Sequence, residues 1–153
     1  MKRRTFLKGT VASGMLGVAA SAGLLAPRMV LAAWPESAFA SKSIDDALNA
    51  LFGSASHSES GDIKIKAPDI AENGAVVPIT VSTGMAAETI SVLIEKNPAP
   101  LACSYALGSS TEGFVSTRVK MGKTSDLIAV VKSGGKLHSA KKTVKVTIGG
   151  CGG

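Results

Sequence analysis

Leu127-Ile128-Ala129-Val130-Val131-Lys132, then Ser133-Gly134-Gly135, then Lys136 through Val144-Lys145-Val146-Thr147-Ile148 decide the fold of this 153-residue chain. The first and last pieces read as strands bounded by turn signals. Gly134-Gly135 between them suits the tight turn of a hairpin, where positive φ is needed. In the closing run Val144, Val146 and Ile148 share one face, with Lys145 and Thr147 on the other. That alternation is the mark of a half-buried strand, here pinned by burial up to Ile148.

Working outward, five more strand-like runs precede the hairpin: Asp62–Ala67, Ala75–Ser82, Thr89–Glu95, Leu101–Leu107 and Phe114–Met121. About seven short strands with regular turn signals predict an antiparallel, immunoglobulin-like β-sandwich. Pro78 cannot donate to a ladder, so its run is expected at a sheet edge or a bulge. Ahead of the strands, Ile44, Ala47, Leu48, Leu51 and Phe52 recur at helical spacing. Ser43 suits the N-cap, Asp45 and Asp46 the first turn, and Gly53 the stop. Residues 54–60 form a Ser-rich linker. Few aromatics mean a core of Val, Ile and Leu. There is no internal repeat. The fold class is therefore mainly β, a sandwich with one short N-terminal helix and a flexible C-terminal arm.

The arm is Gly149-Gly150-Cys151-Gly152-Gly153. Glycine brings wide φ/ψ freedom and no bulk, so a thiol flanked by glycines is expected on a thin tether. Cys151 lies three residues past Ile148, a reach of roughly 10 Å at 3.3–3.6 Å per residue. Such a tether suits delivery of a covalently held group into another protein's pocket. It does not suit a preorganised active site.

At the other end, Lys2-Arg3-Arg4-Thr5-Phe6-Leu7-Lys8 leads into a moderately apolar Ala/Gly-rich run from Gly9 to Ala26. Val30-Leu31-Ala32 follows as a small-residue cleavage pattern. This reads as a twin-arginine export signal, with cleavage expected before Ala33; Ala38-Phe39-Ala40 is a second, more distant fit. Gly14, Gly17 and Gly23 weaken the alternative of a membrane anchor. The expected organisation is a signal at 1–32, helix and linker at 33–60, sandwich at 61–148 and arm at 149–153. The mature protein is expected in the periplasm, free of the membrane.

Charge must be read after removing that signal. The whole chain carries +6, but Lys2, Arg3, Arg4, Lys8 and Arg28 leave with the signal, so 12 basic and 11 acidic residues remain. The pI near 9.5 thus belongs largely to the signal, and nucleic-acid binding loses its support. Within the mature part the charge is uneven. Eight basic residues and one acid, Asp126, lie from Arg118 onward. A positive field there would attract small anions and favour a thiolate. Lysines lining solvated strand faces explain the same residues equally well.

The twin-arginine signal, the run Phe114-Val115-Ser116-Thr117-Arg118, and Val144-Lys145-Val146-Thr147-Ile148 leading into Gly149-Gly150-Cys151-Gly152-Gly153 resemble the SoxY family, the sulfur-carrier subunits of the thiosulfate-oxidising Sox system. The resemblance covers most of the chain after the signal. It implies an immunoglobulin-like sandwich paired with the small subunit SoxZ. It also implies that Cys151 holds the substrate while SoxXA, SoxB and, where present, SoxCD act in turn. Gly149, Gly150, Gly152 and Gly153 would leave the adduct unobstructed. No cofactor or metal is implied.

No motif contradicts a carrier. His57 and His138 lie in neither a G-x-S-x-G nor an H-E-x-x-H setting, and two cysteines with two histidines lack zinc-like spacing. A Cys151–His138 nucleophile pair is the one enzymatic arrangement to weigh. Cys103 alternates in phase with Leu101, Tyr105 and Leu107, which predicts a buried or interface face; a disulfide with Cys151 is the alternative. Two other functions compete: a Gly-Gly-terminated carrier charged at its carboxylate, and a structural sandwich with an incidental cysteine.

Overall fold

The computed structural model describes residues 35–147. The expected export signal, and Ile148 with the Gly149–Gly153 arm, lie outside the described residues. Two helices come first, α1 (Glu36–Ala40) and α2 (Ile44–Phe52). Nine strands follow: β1 (Ser58–Glu59), β2 (Ile63–Lys66), β3 (Ile70–Ala71), β4 (Val77–Thr83), β5 (Thr89–Ile94), β6 (Leu101–Ala106), β7 (Phe114–Val119), β8 (Ser125–Ser133) and β9 (Lys136–Val146).

The β8–β9 hairpin turns as its glycines require. Gly134 and Gly135 have φ of 56° and 75°, and Ser133 pairs with Lys136 across them. Positive φ at both central residues matches the turn to the strands' right-handed twist. The larger sheet runs β1-β9-β8-β5-β6, with β3 also on β9; the smaller runs β2-β4-β7. Val77, Ile79 and Val81 of β4 alternate inward against Ile90, Val92 and Ile94 of β5 and Leu127, Ala129 and Val131 of β8. The sandwich core is therefore aliphatic, as composition predicted.

A second apolar layer lies on the outer face of the larger sheet. Ala38, Ala47 and Leu48 of the helices bury against Leu93, Leu101, Val130 and Leu137. Both faces of β5 are thus covered, so its last five residues are all buried rather than alternating. The cap of α2 is as expected: Ser43 accepts from the Asp46 amide at 3.1 Å, and Gly53 closes the helix at φ 74°.

Four expectations need correction. A second helix, α1, precedes the expected one; it is too short to show a helical period, but packing holds Ala38 fully buried. The Ser-rich linker contains β1, and β3 lies between two expected strands; both pair in parallel with β9. Two-residue strands are too short to show a pattern. Pro78 lies on the central strand of the smaller sheet, not an edge strand. It is tolerated because β2 pairs only with residues 80–83 of β4, leaving that side free at Pro78. Finally, β5 and β6 slip register, with Val92 opposite Cys103 and Leu93 opposite Leu101. Ala102 is the extra residue of a β-bulge, so Leu101 turns out toward the helices while Cys103 turns into the sandwich.

Candidate functional site: the root of the Gly149–Gly153 segment

Cys151, Gly149, Gly150, Gly152 and Gly153 lie outside the described residues, so the site is built from the strand that leads to them. Val144 of β9 is fully buried and Val146 packs against the sandwich core, while Lys145 is exposed, as the alternation predicted.

The end of β9 is gripped on two flanks. Its ladder with β8 stops at Ser125 opposite Val144. Beyond that, one hydroxyl stands in for a strand: Thr124 Oγ1 accepts from the Val146 amide at 3.0 Å and donates to the Val146 carbonyl at 3.3 Å. On the other flank β3 takes over. The Lys145 amide donates to Asp69 O at 2.9 Å, and the Thr147 amide donates to Ala71 O at 3.0 Å.

Beneath the strand sits Gly74. A Cβ there would lie 2.3 Å from Met121 O and 2.8 Å from Val146 Cγ1, so only glycine fits. Met121 donates its amide to Gly74 O at 2.7 Å and is itself buried. The loop carrying Met121 and Thr124 is pinned by Asn97, whose amide nitrogen donates to Lys120 O at 2.7 Å while its oxygen accepts from Gly122 N at 3.1 Å. Sequence reading missed Thr124, Gly74 and Asn97 because each acts through a tertiary contact that no local spacing encodes.

The basic C-terminal third spreads along β9. Lys132 pairs with Glu88 at 3.4 Å near the hairpin turn. Lys142 pairs with Asp69 at 2.9 Å and donates to Ala67 O at 2.7 Å. Lys123 and Lys145 are the exposed cations beside the end of β9, and Glu72 is exposed next to them.

Cys103 is half-buried on β6, facing the core, and burial pushes its thiol pKa above 9.0 despite hydrogen bonds from the Tyr105 side chain and Val92 backbone. A thiol held protonated there is a poor nucleophile. Tyr105 on the same face donates to Thr117 Oγ1 at 3.2 Å, bridging the two sheets. His57 Nδ1 contacts Ala55 O at 2.9 Å, and His138 Nδ1 lies 3.4 Å from Ser58 Oγ. His138 is nine residues before Thr147 on an extended strand, about 25–30 Å away. Cys151, the other member of the nucleophile pair weighed from sequence, lies outside the described residues. Among the described residues no group of three or more His, Cys, Asp or Glu is placed to hold a metal. None of the described helices is long and apolar enough to cross a membrane.

The fold is similar to "Structure of the sulfur carrier protein SoxY from Chlorobium limicola f thiosulfatophilum", at 47% identity and TM-score 0.63, covering 69% of this chain and 97% of that one. Two structures of superoxide reductase (neelaredoxin) from Ignicoccus hospitalis, one a point variant, are also similar. Both are 20% identical, with TM-scores of 0.50 and 0.51, covering 56% and 60% of this chain and 80% and 81% of theirs. At that identity the likeness is one of fold alone. No curated protein sequence matches the chain. A helix-backed β-sandwich this close to a sulfur carrier is a sandwich of the sulfur-carrier class. The family described as sulfur oxidation protein SoxY matches residues 48–151, and the chain belongs to the SoxY family. Its role is that of a carrier in sulfur oxidation, within the Sox system.

Proposed function

We propose that Cys151 is the covalent attachment point for thiosulfate-derived sulfur, and that Gly149, Gly150, Gly152 and Gly153 let its adduct enter the sites of other enzymes. The observation that carries this reading is the family match running through Cys151, downstream of a strand held by hydrogen bonds as far as Thr147. Cys103, inward-facing with a raised thiol pKa, is the poorer candidate.

The chemistry balances on one thiol. Conjugation joins the Cys151 sulfur to the outer sulfur of thiosulfate; one proton leaves the thiol and two electrons pass to the c-type cytochrome SoxXA. SoxB then adds water across the terminal S–S bond, releasing sulfate and leaving a persulfide on Cys151. Where SoxCD is present, the outer sulfur of the persulfide is oxidised with three waters to an S-sulfonate anion, releasing six electrons and seven protons. A last hydrolysis frees sulfate and restores the thiol. Every intermediate hangs on a sulfur–sulfur bond, which thiols make and break reversibly.

This reading places the protein in the periplasm, exported folded by the twin-arginine route as a heterodimer with SoxZ. Cleavage before Ala33 fits better than cleavage after Ala40, because Ala38 is fully buried under α2 and would be lost with the later cut. Intact-mass analysis after exposure to thiosulfate and the Sox enzymes tests the proposal. Reductant-labile adducts mapping to Cys151, absent in Cys151→Ala, are expected. Adducts only on Cys103, or none, would overturn it. A Cys151→Ala protein that still turned over thiosulfate would instead indicate charging at the terminal carboxylate.

A further inference from the structure

Four large apolar side chains are exposed among the described residues: Ile70, Val76, Tyr105 and Phe114. Two of them border the end of β9. Ile70, 56% exposed, sits opposite Lys145 in β3, between the Asp69 and Ala71 carbonyls that hold Lys145 and Thr147. Val76, 50% exposed, follows the turn in which its amide donates to Asn73 O at 3.3 Å, two residues from Gly74 against Val146. Phe114 lies at the other end of β7, roughly 17 Å away at 3.3 Å per residue.

Chain length says what must come to this spot. Cys151 is four residues past Thr147, so its Cα lies within about 14 Å of that residue. An enzyme whose reacting centre sits inside a cleft uses most of that length on depth. Its outer surface must therefore press against the carrier around Thr147. We propose that Ile70 and Val76, flanked by Lys123, Lys145 and Glu72, form the docking rim for the enzymes that process Cys151, and that these enzymes present an apolar lip at the mouth of their substrate channel. The proposal rests on Cys151 being the carrier thiol. Two aliphatic side chains amid charges of both signs make a limited contact, which suits a carrier that must leave each enzyme for the next. Weak transient complexes bury less than about 1,200 Å² in total.

The test uses the full heterodimeric carrier as substrate for the c-type cytochrome that conjugates thiosulfate. Ile70→Asp/Val76→Asp should raise KM about tenfold with kcat little changed, the scale expected when central apolar contacts are lost. Ile70→Ser/Val76→Ser should show the same direction more mildly. Phe114→Asp should leave KM unchanged. Alkylation of Cys151 by iodoacetamide, which needs no docking, should proceed at the wild-type rate in every variant. An unchanged KM in both double variants would overturn the rim while leaving the carrier thiol in place. Loss of the heterodimer on size exclusion would assign the surface to the subunit partner and also overturn it. Cys151→Ser conjugated as well as wild type would instead sink the carrier reading beneath it.

Discussion

Replacing Gly74 with alanine should loosen the whole end of the sandwich from which β9 departs. The new Cβ would lie 2.3 Å from the Met121 carbonyl oxygen and 2.8 Å from Val146 Cγ1. The nearer neighbour is backbone, so no side-chain rotation relieves it; Gly74 or the Met121 loop must move. Overpacking of this kind costs about 1–3 kcal/mol. Shifting either strand end also strains the 2.7 Å bond from Met121 N to Gly74 O, worth roughly 0.5–1.5 kcal/mol. Together the loss should be about 2–4 kcal/mol, or about 8–15 °C in Tm for a domain of this size. Chemical denaturation of Gly74→Ala beside Gly61→Ala and Gly84→Ala checks it. A Cβ at Gly61 or Gly84 meets nothing within 4 Å and neither has positive φ, so those variants should be neutral or gain up to about 1 kcal/mol from a less flexible unfolded chain. If Gly74→Ala fell within about 0.5 kcal/mol of the controls, the close approach of Gly74, Met121 and Val146 would be refuted.

Removing the Thr124 hydroxyl with Thr124→Val leaves the Val146 amide and carbonyl without their partner, so amide hydrogen exchange at Val146 should rise severalfold while Val131 exchange stays slow. Thiol labelling of the folded protein at pH 8 should modify one of the two cysteines quickly, with half-buried Cys103 reacting more slowly than it does after unfolding, as peptide mapping would report. The same burial predicts a pH effect. The folded Cys103 holds its proton above the unfolded value of 9.0, so the unfolded state binds fewer protons there and stability falls as pH rises past about 9. Urea melts of wild type at pH 8 and 10 should show that fall, and Cys103→Ala should shrink it. Leu48→Ala empties the centre of the helix-to-sheet layer and should cost about 2–5 kcal/mol by denaturant melt.

The parts visible in the sequence were those with a local rule. The helix Ile44–Phe52 announced itself by spacing and by Ser43 and Gly53, and Gly134-Gly135 marked its hairpin because both residues need positive φ. The runs around Ile63, Val77, Ile90, Val115, Leu127 and Val144 stood out as short apolar stretches between turn signals. Hidden features depended on distant partners. Pro78 looked like an edge residue because its strand's neighbours, and the point where β2 stops, are set by register across the sheet. The bulge at Ala102 broke the period-two rule that had put Leu101 and Cys103 on one face. For the candidate site, glycines and a thiol were legible by composition. The Thr124 hydroxyl that finishes β9 was not, since a threonine before a strand carries no signal of bonding a residue 22 positions away.

That bulge has a consequence for cargo. A sulfur held on Cys151 by an S–S bond is open to attack by any thiolate that can reach it, and a second thiol on the same chain would compete at an effective concentration set by the tether, on the order of mM. The single extra residue in β6 turns Cys103 toward the sandwich core, where partial burial raises its thiol pKa. On the carrier reading, each chain then has one place to load and no internal thief, so a half-processed sulfur waits for the next enzyme rather than migrating within its own carrier.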